Sequence, residues 1–180
     1  LATTSRTNAV VKRIAASLGS SHPNIDGVVP VMHTEGGSRQ MPNNQDFFVR
    51  ALAGFVVHPN VGAVLAVDVG DEPVNNDSLR NFLETHAYNW CSHPVAFQSA
   101  GGKSAEQVIA DGRKTILAWL DDVDRTRRTP QSIANLNLSL QCGGSDAFSG
   151  VSANPLIGAL AKSIVQYGGK ACIAETTELI

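Results

Sequence analysis

The sequence has little of several features that mark specialised classes of protein. Its 180 residues include three cysteines, Cys91, Cys142 and Cys172, whose odd number and spacing argue against a disulfide framework and favour a reducing cytoplasm. No apolar run approaches the roughly 20 residues that cross a membrane. The first residues, Leu1-Ala2-Thr3-Thr4, lack the pattern of a signal peptide. We therefore expect a cytoplasmic protein without a membrane partner.

Charge of one sign is also scarce. The formal net charge is -2 at pH 7, and the one dense basic stretch, Arg125, Arg127 and Arg128, is interpreted as the solvated end of a helix. A nucleic-acid-binding surface needs a broader basic patch, so we expect no nucleic-acid partner. Hydrophobic residues make up 43% and charged residues 17%, which is typical of a folded domain.

Helical periodicity is the clearest feature that is present. Apolar residues recur at the i, i+3, i+4 spacing of a helix with one buried face. This spacing predicts helices over residues 8–18, 44–57, 76–86, 104–124 and 154–167. Ser104 followed by Gln107 is close to a capping box, and Gly168-Gly169 is typical of a helix stop.

Short apolar runs alternate with these helices and predict strands over residues 27–32, 62–68, 94–99, 135–141 and 170–174. The alternation predicts an α/β fold of three layers, with a Rossmann-like, mostly parallel sheet of about five or six strands and crossover helices. We expect a single domain over residues 1–180. Leu1-Ala2-Thr3 is interpreted as the tail of a further strand, so we expect this domain to be a fragment of a longer enzyme.

Polar residues and glycines follow each predicted strand, where open α/β sheets bind their ligands. Carboxylates and histidine suit proton transfer or a divalent metal, and glycine-rich turns present N–H groups to a substrate carboxylate. As catalytic residues we expect His33, Glu35 and Asp146. As substrate-binding residues we expect Gly36, Ser38, Gly143, Gly144, Ser145, Ser149 and Asn154. As metal ligands we expect Asp71, Glu72 and Cys142.

Structural interpretations of the same residues stay open at this point. His33 could cap a loop, and the acidic residues after the strands could be exposed turn residues. Asp68 at a strand end is better interpreted as a helix cap or a structural hydrogen-bond acceptor. Cys142 suits a small buried residue as well as a ligand.

A longer pattern points to one family. The segment QCGGSDAFSGVSANP at residues 141–155 resembles the CGGSD-x-x-SG-x-x-ANP signature of the altronate/galactarate dehydratase family, which also includes sulfolactate sulfo-lyase. The segments HTEG at residues 33–36 and HPNVGAVL at residues 58–65 agree with the same family. The resemblance extends over nearly the whole chain and corresponds to the central domain of the family.

The resemblance implies an iron-dependent hydro-lyase that converts a sugar acid of the altronate or galactarate type to a 2-keto-3-deoxy acid by metal-assisted β-elimination. The implied cofactor is thus a divalent metal, iron in this family. The implied partners are a small hydroxy acid and the flanking domains of the same protein, and a homodimer is a further option.

The chain departs from the family at its cysteines. Members usually carry cysteines in three strand-end loops, where this chain has Arg6, Gly37 and Asp71, and Cys142 alone matches. Because oxygen ligands favour harder cations than thiolates do, three alternatives follow: other metal ligands, another substrate, or a loss of catalysis. The competing hypothesis is therefore a non-catalytic member that binds a hydroxy acid or serves in assembly. A dinucleotide enzyme is disfavoured, because no G-x-G-x-x-G follows a predicted strand.

Overall fold

The computed structural model describes residues 1–19, 22–144 and 146–175. Contacts divide the chain into two compact units, unit 1 (Leu1–Thr126) and unit 2 (Arg127–Ile180). We describe each unit by itself. In the part of the chain that is described, no helix has both the length and the apolar character needed to cross a membrane.

Besides two short 3-10 turns, unit 1 contains four α-helices and two strands in its described residues. In chain order they are α1 (Asn8–Ala16), α2 (Gln45–Val56), β1 (Val64–Asp68), α3 (Asn76–Thr85), β2 (Val95–Ser99) and α4 (Ala105–Asp124). The two strands are parallel, with a register that runs from Val64 opposite Val95 to Asp68 opposite Ser99. On the other edge of β1, Ala2 forms an isolated parallel bridge with Val67.

The core of unit 1 lies on both faces of β1, whose five residues are all buried. Because successive strand residues point to opposite faces, Val64 and Ala66 pack in one cluster and Leu65 and Val67 in another. The first cluster contains buried residues of α2 and α3, and the second contains buried residues of α1 and α4. Helices thus cover this small sheet on both sides, as expected for a parallel sheet.

Local signals set the helix ends in unit 1. The capping box of α4 is confirmed: the Ser104 hydroxyl accepts from the Gln107 N–H, and the Gln107 side chain accepts from the Ser104 N–H. Asn75 caps α3 by accepting from the Ser78 N–H. Such caps contribute about 1 kcal/mol each. They also fix where α3 begins, just beyond the carboxyl end of β1.

Unit 2 pairs two short parallel strands, β3 (Asn137–Leu140) and β4 (Lys170–Ile173). Between them a π-helical turn (Ser149–Ala153) leads into α5 (Asn154–Gln166). The predicted helix stop is confirmed, since Gly168 follows α5 with a φ of 86° that favours glycine. At Gly169 a Cβ would approach Ile164 Cγ2 to 2.6 Å, so α5 returns to β4 through a tight turn.

The prediction of one sheet with five or six strands is not confirmed. The described residues form two separate two-stranded sheets, and the predicted strand at residues 27–32 has no strand assignment. That segment contributes one main-chain bond to the first residues, from Ala2 N–H to Val31 O at 2.9 Å. Pro30 lacks an N–H group, which weakens any ladder through its position. An apolar run was therefore mistaken for a paired strand.

Candidate functional site

The turn after β1 in unit 1 carries the predicted metal ligands Asp71 and Glu72. Glu72 is buried, with 4% of its surface exposed, and its carboxylate faces the protein rather than solvent. It accepts from the Gly70 N–H at 2.8 Å, from the Val69 N–H at 3.2 Å and from the Thr4 hydroxyl at 2.8 Å. Glu72 therefore holds this turn closed against the first residues of the chain.

Asp71 faces outward and pairs with arginines. It accepts a hydrogen bond from Arg6, and Arg39 Nη2 lies 3.7 Å from its second oxygen. The hydrogen bond from Arg6 is the main reason that the pKa of Asp71 is lowered. A Cβ at Gly37 would overlap the Ser5 hydroxyl and lie 4.0 Å from Arg6 Cγ. The three positions where the family resemblance expects cysteines thus come together here as an ion pair beside a glycine.

A metal does not fit this donor set. The oxygens of Glu72 are taken by main-chain N–H groups and a hydroxyl, and Asp71 is engaged by Arg6. The guanidinium of Arg6 also puts a positive charge where a cation would have to bind. Within the described residues no group of three or more His, Cys, Asp and Glu side chains is placed to hold a metal.

His33 ties its loop to the start of the chain. Its Nδ1 accepts from the Glu35 N–H at 3.1 Å, so the proton lies on Nε2, which donates to Ala2 O at 2.9 Å. Asn8 bonds the main chain of His33 through both of its side-chain polar atoms. The ring also packs edge-on against Phe48, with centroids 5.1 Å apart. A proton-transfer role for His33 would require one of these ring bonds to open.

Glu35 combines a fixed main chain with a lightly held carboxylate. Its N–H donates to His33, and its carbonyl accepts from the Ser5 N–H at 2.9 Å. Its Oε1 accepts from the Thr34 hydroxyl at 3.3 Å, a long hydrogen bond between neighbours in the chain. Among the three predicted catalytic residues, Glu35 has the carboxylate that is freest to meet a substrate.

The residues after Glu35 are placed less specifically. Gly36 has a φ of 70°, and a Cβ there would lie 3.2 Å from Phe48 Cε1 and 3.3 Å from Thr4 Cγ2. Gly36 is therefore a close-packing position whose backbone favours glycine. Ser38 is exposed, and its hydroxyl accepts from the Gln40 N–H at 3.0 Å. Their predicted substrate contacts stay predictions.

The remaining predicted site residues belong to unit 2. Asp146 accepts from the Ser149 N–H at 2.9 Å and from the Ser149 hydroxyl at 2.7 Å, and these bonds lower the pKa of Asp146. Asp146 thereby caps the turn that precedes α5. Cys142 is half-buried and free of disulfides. Gly143 and Gly144 are exposed, Asn154 begins α5, and Ser145 lies outside the described residues.

Sequence reasoning missed one arrangement in unit 1, which we call the Asp68 cleft. Asp68 ends β1 and was interpreted as structural, and its Oδ2 does accept from the Asn76 N–H at 2.7 Å. Its Oδ1, however, is buried without a partner among the described residues. Burial raises the pKa of Asp68, although the bond from Asn76 and the neighbouring Ser99 lower it. A strand-end aspartate followed eight residues later by a helix start was the available signal.

Comparisons with known proteins agree with this division of the chain. A family model described as D-galactarate dehydratase/altronate hydrolase, second domain, matches residues 1–124. A model described as D-galactarate/altronate dehydratase, C-terminal, matches residues 133–180. The interval between the two matches contains the boundary between unit 1 and unit 2. The matches confirm the family resemblance seen in the sequence.

Curated relatives give the same result. Altronate dehydratase of Escherichia coli strain K12 is 30% identical over 86% of this chain and 30% of its own length. Altronate dehydratase of Bacillus subtilis strain 168 is 27% identical over 94% of the chain and 33% of its own length. The beta subunit of (2R)-sulfolactate sulfo-lyase of Chromohalobacter salexigens is 27% identical over 87% of the chain and 38% of its own length. The chain thus spans about a third of the length of these relatives. No solved structure matches it.

Proposed function

Because this chain belongs to the D-galactarate dehydratase/altronate hydrolase family, we propose that it works in a hydro-lyase acting on a sugar acid of the altronate or galactarate type. The match of the second-domain model to residues 1–124 is the observation that carries this proposal. Relatives named altronate dehydratase and galactarate dehydratase support the reaction class. Since the chain spans about a third of its relatives, the activity is proposed for the full-length protein.

The proposed reaction is a β-elimination of water. A base takes the proton from the carbon next to the carboxylate, and the hydroxyl on the following carbon leaves as water after it accepts a proton. The enol that forms then becomes a 2-keto-3-deoxy acid. The reaction needs a positioned base, a proton donor for the leaving group, and N–H or cationic groups around the substrate carboxylate.

We assign the base to Glu35. Its main-chain N–H and carbonyl groups are bonded to His33 and Ser5. The backbone of Glu35 is therefore fixed, while its carboxylate is not needed for these bonds. His33 is a positioning residue in this scheme, because it binds the Glu35 N–H and fixes the loop to Ala2. We route no step through a metal, because main-chain N–H groups take the oxygens of Glu72 and the guanidinium of Arg6 is bonded to Asp71.

The test is turnover of altronate and galactarate by the full-length protein, with the 2-keto-3-deoxy product measured and the metal content determined in the same preparation. We expect product from at least one acid. Binding of both acids without any product would overturn the proposal and support a non-catalytic member of the family. Metal bound in stoichiometric amount would support the predicted iron cofactor. Its ligands would then be groups other than Glu72, whose oxygens already accept hydrogen bonds.

Glu35→Gln tests the assigned base. Removal of a general base typically lowers kcat about 10²–10⁴-fold, and the folded state should be unchanged because the main-chain bonds of Glu35 remain. Glu84→Gln is the matched control, since Glu84 is an exposed residue of α3. A kcat for Glu35→Gln within a few-fold of the wild type would move the base to another residue.

A further inference from the structure

The Asp68 cleft contains a buried oxygen that needs a donor. Asp68 is 3% exposed, and its Oδ2 is satisfied by the Asn76 N–H at 2.7 Å. Its Oδ1 has no hydrogen-bond partner within the described chain. The Ser99 hydroxyl lies close enough to lower the pKa of Asp68, but its single proton is donated to Val69 O at 3.0 Å. Since buried acceptors are almost always paired in native proteins, this oxygen needs a donor other than the described residues, either a ligand or a water molecule.

The cleft itself has the size and the place of a binding site. It measures about 210 Å³, and its lining includes Asp68, Gly70, Asn76, Arg80, Phe97 and Ser99. It lies at the carboxyl ends of β1 and β2, the edge at which open α/β sheets bind ligands. The N-terminus of α3, a helix of 10 residues, opens onto the same space and favours negative charge. A ligand of this volume is a small molecule rather than a nucleotide or a peptide.

The cleft also contains a positively charged side chain, that of Arg80. Arg80 lies in the second turn of α3, with its guanidinium 4.7 Å from the centre of the Phe97 ring. Its remaining ion pair, with the exposed Asp77, is long at 3.7 Å. Stacking on Phe97 holds the guanidinium in place while leaving its N–H groups available to a planar acceptor such as a carboxylate.

We propose that the Asp68 cleft binds a small hydroxylated carboxylic acid, with a hydroxyl donating to Asp68 Oδ1 and a carboxylate on Arg80. An anion without a hydrogen-bond donor would be repelled by the Asp68 carboxylate and would leave its Oδ1 unpaired. A simple cation would be repelled by the guanidinium of Arg80. A molecule that carries both a donor and a carboxylate satisfies both groups. The choice of a sugar acid over an amino acid, whose ammonium could also donate to Asp68, rests on the proposed function.

The test is calorimetric titration of the full-length protein with four matched probes. Galactarate carries hydroxyls and carboxylates, adipate has the same carbon chain and carboxylates without hydroxyls, galactitol has hydroxyls without carboxylates, and glutamate carries an ammonium. We expect galactarate to bind about tenfold or more tightly than the other three, because each of them loses one charge-assisted contact or fits the cleft poorly. Equal binding of galactarate and adipate, tighter binding of glutamate, or no binding at all would overturn the proposal.

Two variants place the binding in the cleft. Asp68→Asn and Arg80→Gln should each weaken galactarate binding about tenfold or more, whereas Asp111→Asn should leave it unchanged, because Asp111 is an exposed residue of α4 bonded to Lys103. Circular dichroism checks that each variant is folded. Undiminished binding by both cleft variants would overturn the inference, and sugar-acid turnover in the same protein would still leave the proposed function standing. Cleft-dependent binding without turnover would overturn the proposed function and support the cleft.

Discussion

Two buried carboxylates lie four residues apart at the carboxyl end of β1: Asp68 is its last residue, and Glu72 lies in the turn that follows. They differ in how their oxygens are hydrogen-bonded. Glu72 is 4% exposed, and main-chain N–H groups and the Thr4 hydroxyl surround its carboxylate. Asp68 is 3% exposed, and one of its oxygens has no partner within the described residues. A fully satisfied carboxylate stabilises a turn, whereas a half-satisfied one lowers stability unless a ligand completes it. Burial alone does not distinguish structure from function here, but hydrogen bonding does.

Glu72→Ala tests whether the hydrogen-bonded carboxylate of Glu72 stabilises the turn after β1. The substitution leaves the N–H groups of Val69 and Gly70 and the hydroxyl of Thr4 without their acceptor. We expect the free energy of unfolding to fall by about 2–3 kcal/mol. Urea denaturation measures the change. Glu106→Ala, which removes an exposed partner of Arg13, should change it by less than about 0.5 kcal/mol.

If Glu72→Ala were as mild as its control, Glu72 would not hold the turn. The hydrogen bonds of Glu72 would then be weak enough to open, and its predicted role as a metal ligand would be supported. A large loss of stability in metal-free buffer supports the structural role.

We expect Asp68→Asn to raise the free energy of unfolding, whereas Glu72→Ala lowers it. Burial raises the pKa of Asp68 in the folded state above its ordinary value of 3.8, so the folded protein holds this proton more tightly than the unfolded chain does. Stability therefore falls as pH rises from the ordinary value to the raised one, and the full loss is present once the pH exceeds the raised pKa. Asparagine carries no charge to bury and can still accept from the Asn76 N–H.

We expect Asp68→Asn to raise the free energy of unfolding at pH 7 by about 1 kcal/mol. The gain should shrink toward zero as pH is lowered below 4, where aspartate is also neutral. Urea denaturation at several pH values measures it, with Asp111→Asn as the exposed control. A variant that is less stable than the wild type at pH 7 would show that the Asp68 charge is satisfied. A gain in stability together with weaker galactarate binding is typical of a binding residue.

Local patterns in the sequence predicted the helices well, because a helix is built from neighbours in the chain. The predicted helix over residues 76–86 is observed as Asn76–Thr85, and Ser104 caps α4 as its spacing with Gln107 indicated. Strand pairing depends on residues far apart in the chain, so an apolar run alone could not tell a paired strand from the single contact at Val31. The predicted sheet of five or six strands is not confirmed for this reason.

The candidate site was predictable in its residue types but not in its geometry. The sequence placed acids after β1, yet the backbone at Gly70, with a φ of 99°, decides that Glu72 turns inward to the main chain. The partner of Asp71 is Arg6, 65 residues away in the chain, and no local pattern links the two. Asp68 was correctly interpreted as an acceptor, but Asp68 and Arg80 come to line one cleft only through the packing of α3 beside β1 and β2.

The smallest expected effect comes from the ion pair that stands where the family resemblance expects cysteines. The side chains of Arg6 and Asp71 are 35% and 47% exposed, so solvent screens their attraction. We expect Asp71→Asn to leave the urea midpoint of unfolding almost unchanged, because exposed ion pairs contribute little to stability. Because the hydrogen bond from Arg6 lowers the pKa of Asp71, this contribution is present above the ordinary pKa of an aspartate and is lost as pH falls through the lowered one.

Urea denaturation of Asp71→Asn in low salt and in about 1 M salt checks this, since screening should remove the difference from the wild type. Asp111→Asn, which breaks the comparably exposed pair with Lys103, is the matched control. A clear fall of the urea midpoint that salt does not remove would mean that the ion pair maintains the fold of the loops around it. A small, salt-sensitive loss means that this position contributes little to folding. The partly exposed Asp71 would then differ from the buried Glu72 beside it, whose hydrogen bonds stabilise the turn.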